Sequence, residues 1–222
     1  MPGELLSVVV QAGGKSRRMG QDKALIPFLG QPLIQRVLGR VAAISDELLV
    51  TTNNPAAYQL LGIPLFTDLI PGRGALGGLY TALSVARYPL VAVVACDMPF
   101  ASPELLLAER DLLLDTASHA VIPATEGGSE PFHAVYRRQE CLPLIQAAIQ
   151  SGQWRVNSWF DGARIHFMAP EETLSFDPQR LAYWNLNTPE ELRQAQELAL
   201  SGQGFKPNTT GEPRDTSHPL DS

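Results

Sequence analysis

Cysteine is scarce in this sequence, since Cys96 and Cys141 are the only two in 222 residues and they show no paired spacing. A disulfide framework or a zinc site therefore has no support, and a reducing cytoplasm is the expected location. The histidines show no metal-ligand spacing either. Packing or surface roles are expected for His119, His133 and His166.

Long hydrophobic runs and an excess of positive charge are also missing. No apolar segment approaches the length of a membrane span, and the first residues lack the basic start and long apolar run of a signal peptide. The formal net charge is −6, so attraction of the whole surface to nucleic acid or to an anionic membrane is not expected. An anionic ligand must instead be captured by a local basic cluster.

Apolar runs of strand length alternate with helical patterns, and the hydrophobic content of 45% is enough for one packed domain. This alternation predicts an α/β fold, with a mostly parallel sheet covered by helices on both faces. The expected strands are Leu5–Val10, Glu47–Thr52, Leu65–Thr67, Leu90–Ala95, Ala120–Pro123, Phe132–Tyr136 and Arg164–Phe167. The expected helices follow Pro32 and cover Gly77–Ala86, Pro103–Leu114, Gln139–Gln150 and Thr188–Leu200.

The domain is expected to span residues 1–200. Residues 201–222 are polar and rich in Gly, Pro, Thr and Asp, a composition that predicts a disordered tail.

A basic glycine loop, Gly13–Lys23, follows the first strand. Four of the 17 Lys and Arg residues lie between positions 15 and 23, and adjacent glycines let backbone N–H groups approach a ligand closely. The loop is not a P-loop, because Val9 stands where that motif needs glycine, and the spaced glycines of a dinucleotide-binding motif are absent. It predicts a triphosphate site, with a solvated surface turn as the alternative.

Two carboxylates and a second glycine-rich segment follow other strands. Asp97 comes after Leu90–Ala95, where it can bind Mg²⁺ or simply cap a turn before Pro99. Asp68 can contact a nucleotide or belong to a turn. The segment Gly72–Gly78 opens a helix and can lie against a base or ribose, or it is a flexible connection. Since ligands of parallel sheets sit at the carboxyl ends of strands, these features predict one site.

Together these segments resemble the molybdenum cofactor guanylyltransferase family, the MobA proteins. The matches keep their order over roughly residues 5–200. They are Ala12–Gly20, Asp22–Leu25, Gly30–Leu33, Gly74–Gly78, Cys96–Phe100 and Asn185–Leu192.

The resemblance implies a single Rossmann-like nucleotidyltransferase domain that uses Mg²⁺. It implies GMP transfer from GTP to molybdopterin with release of diphosphate. GTP and molybdopterin are then the substrates, and molybdoenzymes or proteins that handle the cofactor are further candidate partners. Neither nucleic acid nor a membrane is implied.

The resemblance also assigns residues. Arg18 is implied to stabilise charge, Lys23 to contact the phosphates, and Asp97 to bind both the nucleotide and the metal. Asn185 and Asn187 fall on the side of the pterin, or they cap the helix that follows. The nucleotide-binding positions are Gln11, Ala12, Gly13, Gly14, Lys23, Thr51, Asp68 and Asp97.

Three departures from the family pattern bear on base selectivity more than on the type of reaction. Gln11 replaces an aliphatic residue, Thr51 aligns with a nucleotide-contacting asparagine, and the second glycine segment reads Gly-Ala-Leu-Gly-Gly. Cytidylyl transfer to molybdopterin and nucleotidyl transfer to a sugar phosphate therefore stay open. A non-catalytic nucleotide-binding module is the alternative from a different class.

Overall fold

A mixed eight-stranded sheet runs through the centre of the protein in the computed structural model, which describes residues 4–13 and 22–201. The strands are β1 (Leu6–Ala12), β2 (Pro27–Phe28), β3 (Gln31–Pro32), β4 (Glu47–Thr52), β5 (Leu65–Phe66), β6 (Leu90–Ala95), β7 (Ala120–Thr125), β8 (Gly128–Ser129), β9 (His133–Arg137) and β10 (Ile165–Met168). The order across the main sheet is β10-β7-β9-β6-β1-β4-β5, with β8 paired to β7, while β2 and β3 form a separate hairpin.

Helices cover both faces of this sheet, as the sequence predicted. They are α1 (Leu33–Val41), α2 (Gly74–Val85), α3 (Pro103–Asp115), α4 (Arg138–Gln150), α5 (Pro170–Thr173) and α6 (Pro189–Ser201). Successive strand residues point to opposite faces. Val8 and Val10 therefore pack with α1 and α3 on one side, and Val9 packs with α2 and α4 on the other.

The parallel register of the central strands brings their carboxyl ends to one edge. Gln11 lies opposite Ala95 on β6 and opposite Thr51 on β4. The helix α2 follows β5, which is parallel to β4, so α2 begins at this edge. The strand β9 is antiparallel to β6, so α4 runs back and also ends at this edge.

The start of α2 was predicted wrongly. The glycines suggested a loop up to Gly77, but the helix begins at Gly74. Gly74 has a φ of 53°, which glycine adopts without steric cost. The low helix propensity of Gly77 and Gly78 is offset by close packing, because a Cβ at Gly78 would stand 1.8 Å from Gln11 Nε2.

The other predicted elements are confirmed, with small shifts at their ends, where boundaries are least reliable. Ser102 caps α3, with its hydroxyl accepting from Leu105 N at 3.1 Å. Over the residues described, none of the helices has both the length and the apolar character that a membrane span requires. Residues 202–222, which include nearly all of the predicted tail, lie outside the described residues.

A fully buried polar pair, His133 and Glu109, joins β9 to α3. The N–H of Ser102 donates to His133 Nε2 at 3.1 Å, so the ring proton is on Nδ1, which faces Glu109 Oε1 at 3.2 Å. Burial lowers the pKa of His133 to about 3 and raises the pKa of Glu109 well above its usual value. Both shifts favour the uncharged forms, so this contact is a neutral hydrogen bond rather than an ion pair.

At alkaline pH, replacing Glu109 with glutamine is expected to raise the free energy of unfolding relative to the wild type. In the unfolded chain the carboxyl ionises above about pH 4.3, whereas burial raises its pKa well above the usual value in the folded protein. The wild type therefore loses stability as the pH rises, by up to about 1.4 kcal/mol per pH unit, and the amide does not. Urea unfolding at pH 5 and pH 8 measures the difference.

The control for this comparison is Glu126→Gln, because Glu126 is exposed. Its stability relative to the wild type is expected to stay the same at both pH values. A Glu109→Gln difference that is equally independent of pH would contradict the neutral assignment of Glu109.

Candidate active site

The centre of the site is a contact among three side chains that are far apart in the sequence. Lys23 Nζ donates to Asn187 Oδ1 at 2.6 Å and lies 3.4 Å from Asp97 Oδ2. The side chains of Lys23 and Asp97 are only 20% and 18% exposed. Partial removal from water strengthens the attraction between the two charges.

Lys23 is positioned by a short 3-10 helix, Lys23–Leu25. Asp22 caps this helix through Oδ1, which accepts from Ala24 N at 3.2 Å, and its Oδ2 accepts from the Tyr58 hydroxyl at 2.5 Å. Tyr58 is buried in the core. The adjacent residues Asp22 and Lys23 therefore have two distinct roles, in which the aspartate anchors the backbone and the lysine reaches the site.

Asn187 reaches the site because its segment is fastened at both ends. Leu186 N donates to Asp97 O at 3.0 Å. Glu191 Oε2 accepts from the N–H groups of Asn187 and Thr188, and the Thr188 hydroxyl accepts from Glu191 N. This is a capping box. Because Thr188 and Glu191 cap α6, the Asn187 side chain is not needed as a cap. It is therefore available to Lys23.

Asn185 lies beside this contact and forms no hydrogen bond with Lys23 among the described residues. Its amide donates to Tyr183 O at 3.2 Å, and its own carbonyl accepts from Asn187 Nδ2 at 3.2 Å. Asn185 therefore supports the conformation of the segment that presents Asn187.

The end of β1 supplies three of the predicted nucleotide positions, Gln11, Ala12 and Gly13. The Gln11 carbonyl accepts from Cys96 N at 3.1 Å, so this backbone group belongs to the sheet. The Gln11 side chain turns toward α2, where its amide occupies the space that the missing Cβ of Gly78 leaves open. Gln11 Oε1 and Thr51 Oγ1 are buried and have no hydrogen-bond partner among the described residues.

Asp68 lies at the end of β5 and is tied to the loop after β4. Asn53 Nδ2 donates to Asp68 Oδ2 at 2.7 Å, and Asp68 N donates to Asn53 Oδ1 at 3.3 Å. Among the described residues, neither Asp68 nor Thr51 forms a hydrogen bond or an ion pair with Lys23. The pairing of Asn53 with Asp68 is visible only in three dimensions.

The rest of the basic glycine loop, residues 14–21, lies outside the described residues. The predicted roles of Gly14 and Arg18 fall in this segment. The described part of the site contains one predicted catalytic pair, Lys23 and Asp97, and the additional partner Asn187.

Comparisons with known proteins identify the family of this chain. Residues 8–164 match the family described as "MobA-like NTP transferase domain". A probable molybdenum cofactor guanylyltransferase from Peptoclostridium acidaminophilum is 32% identical, over 91% of this chain and 92% of its own length.

Two solved structures extend the comparison to the fold. Molybdopterin-guanine dinucleotide biosynthesis protein A from Archaeoglobus fulgidus superposes with a TM-score of 0.78 at 25% identity, covering 88% of this chain and 99% of the other. A 2-C-methyl-D-erythritol 4-phosphate cytidylyltransferase from Thermus thermophilus gives a TM-score of 0.66 at 19% identity, with coverages of 88% and 99%, and shares the fold alone. The chain belongs to the family of MobA-like NTP transferases, which is the family of the molybdenum cofactor guanylyltransferases.

Proposed function

We propose that this protein transfers GMP from GTP to molybdopterin, forming the guanine dinucleotide form of the cofactor and releasing diphosphate. The observation that carries the proposal is the contact of Lys23 with Asp97 and Asn187 at the carboxyl edge of the sheet. The names of the relatives supply the substrates. A phosphate-binding cation and a metal-binding carboxylate in one partly buried site suit nucleotidyl transfer.

The reaction needs charge neutralisation more than a strong base. The acceptor is the terminal phosphate of molybdopterin, whose second ionisation lies at a pKa of about 6 for a phosphate monoester. Its oxygen is therefore already anionic near neutral pH. This oxygen forms a bond with the α-phosphorus of GTP while the bond to the bridging oxygen breaks, and that oxygen leaves with the diphosphate. The main barrier is the approach of one anion to another.

The side chains of the site act on that barrier by positioning and by charge. Lys23 places an ammonium group against the triphosphate, and Asn187 holds the lysine side chain in place. Groups that are oriented before the reaction stabilise developing charge without further reorganisation. Arg18, by its position in the basic loop, adds a second positive charge in this proposal.

The donor atoms of the site fit Mg²⁺, with Asp97 as its protein ligand. In the described part of the chain, no group of three or more His, Cys, Asp or Glu side chains forms a metal site of its own. Mg²⁺ is commonly held by one or two carboxylates together with substrate phosphates, so a single aspartate suits an ion that binds with GTP. When bound, the ion supplies positive charge that offsets the charge on the α-phosphate and the diphosphate.

We also place this reaction in the cytoplasm. Cys96 and Cys141 are free, buried thiols, which suits a reducing compartment. Proteins that deliver molybdopterin or receive the finished cofactor are the partners that this activity calls for.

The proposed reaction is tested by diphosphate release from GTP, CTP, ATP and UTP with Mg²⁺ and molybdopterin. We expect release with GTP, and a product that contains both GMP and molybdopterin by mass spectrometry. Preference for CTP would replace the guanylyl assignment with cytidylyl transfer. GTP binding without diphosphate release would favour the non-catalytic module.

Removing the Asn187 amide is expected to reduce the use of GTP. In Asn187→Ala, Lys23 loses a 2.6 Å hydrogen bond, and we expect kcat/KM for GTP to fall about tenfold, the scale of one hydrogen bond to a charged group. The KM for molybdopterin is expected to stay unchanged. Initial rates with each substrate varied in turn measure both effects.

The matched control is Gln196→Ala, which removes a 3.0 Å amide contact between α6 and Pro27 O without touching Lys23. It is expected to leave the use of GTP unchanged. A higher KM for molybdopterin in Asn187→Ala, with normal use of GTP, would show that Asn187 serves the acceptor instead of Lys23.

A further inference from the structure

Trp154 is a large aromatic side chain that lies on the surface, with 59% of the residue exposed. It differs from Trp159, which is 3% exposed, and from Trp184, which stacks on Phe100. The guanidinium carbon of Arg73 lies 4.9 Å from the centre of the Trp154 ring, within the range of a cation–π contact. The indole is therefore held in place while much of it stays accessible.

The Trp154–Arg73 pair lies at the edge of the sheet that carries the site. Arg73 immediately precedes α2, which begins at the carboxyl edge. Trp154 follows α4, which ends at the same edge. The pair is on the α2 side of the sheet, and Gln11 turns toward that same side.

The first turn of α2 leaves space beside the indole. Gly74 and Ala75 are exposed, so only small side chains stand at this end of the helix. One turn further along, Gly78 accommodates the Gln11 amide. Gln11 Oε1 and its neighbour Thr51 Oγ1 are buried polar atoms without a hydrogen-bond partner among the described residues. Such atoms are uncommon in folded proteins, and they suit a face that receives a polar ligand.

We propose that Trp154, held by Arg73, stacks on the guanine base of the donor nucleotide. The inference rests on the proposed function, because the triphosphate bound at Lys23 fixes where the nucleoside extends. The carboxyl edge of the sheet runs from the end of β6 through the ends of β1, β4 and β5. The Trp154–Arg73 pair lies beside this edge, on the side of the sheet that α2 covers. A flat, polar ring is the ligand that an exposed indole beside a cation binds best, because stacking and cation–π attraction act together.

A pair of substitutions separates stacking from simple apolar contact. Trp154→Phe keeps an aromatic ring, whereas Trp154→Leu keeps apolar bulk without one. In Trp154→Leu we expect the KM for GTP to rise about tenfold, the scale of one lost base stack, with kcat unchanged because the contact is already made in the ground state. In Trp154→Phe most of the affinity should remain.

Inorganic tripolyphosphate tests the triphosphate-binding part of the site, and molybdopterin tests the acceptor-binding part. Tripolyphosphate has no base, so its inhibition constant is expected to be equal in the wild type and in Trp154→Leu. The KM for molybdopterin is also expected to be equal. The control Phe167→Ala removes an aromatic side chain of comparable exposure, 46%, from the outermost strand β10, and is expected to leave the KM for GTP unchanged.

The intrinsic fluorescence gives an independent measurement. GTP is expected to quench the wild-type emission, and most of this quenching should be lost in Trp154→Phe, which retains the other two tryptophans. An unchanged KM for GTP in Trp154→Leu would overturn the stacking role, as would an increase confined to the KM for molybdopterin. A wild type that neither binds nor uses GTP would instead refute the proposed function itself.

Discussion

Lys23 contacts both the Asp97 carboxylate and the Asn187 amide oxygen through its ammonium group. The rest of the site depends on this contact. It joins residues that are 74 and 164 positions apart from Lys23 in the chain. The parallel pairing of β6 with β1 places Asp97 at the edge, the anchored turn after Asp22 aims Lys23 at it, and the capping box of α6 presents Asn187. Each of these supports is local, and the site results from their convergence.

Much of the fold could be predicted because its signals are local. Buried parallel strands read as continuous apolar runs, and Leu90–Ala95 and Glu47–Thr52 were predicted with the observed ends. The start of α2 was missed because the glycines that suggest a loop are required there by packing. Gly78 adjoins the Gln11 side chain, a contact between segments that no local pattern encodes. The short strands β2, β3 and β8 carry too few residues for a periodic signal.

The sequence indicated candidate residues of the site, but it did not indicate which side chains contact one another. A basic loop and an aspartate after a strand indicated that Lys23 and Asp97 could lie in one site, since strand ends collect at one edge, and the family resemblance assigned their roles. The partner of Lys23 was not predictable, because Asn187 comes from the far end of the chain and is brought in by tertiary contacts. The Arg73–Trp154 contact joins two loops that follow different elements. No local pattern in the sequence indicates that these two residues meet.

Substitution of Asp97 by asparagine is the measurement that tests the central claim most directly. The variant keeps the size of the side chain and removes the charge that pairs with Lys23 and would hold Mg²⁺. We predict that turnover at saturating GTP and Mg²⁺ falls about 10²–10³-fold, the scale of one preorganised electrostatic group. Asp111→Asn, at an exposed aspartate paired with Arg110, should leave turnover unchanged. Near-normal turnover in Asp97→Asn would contradict the account.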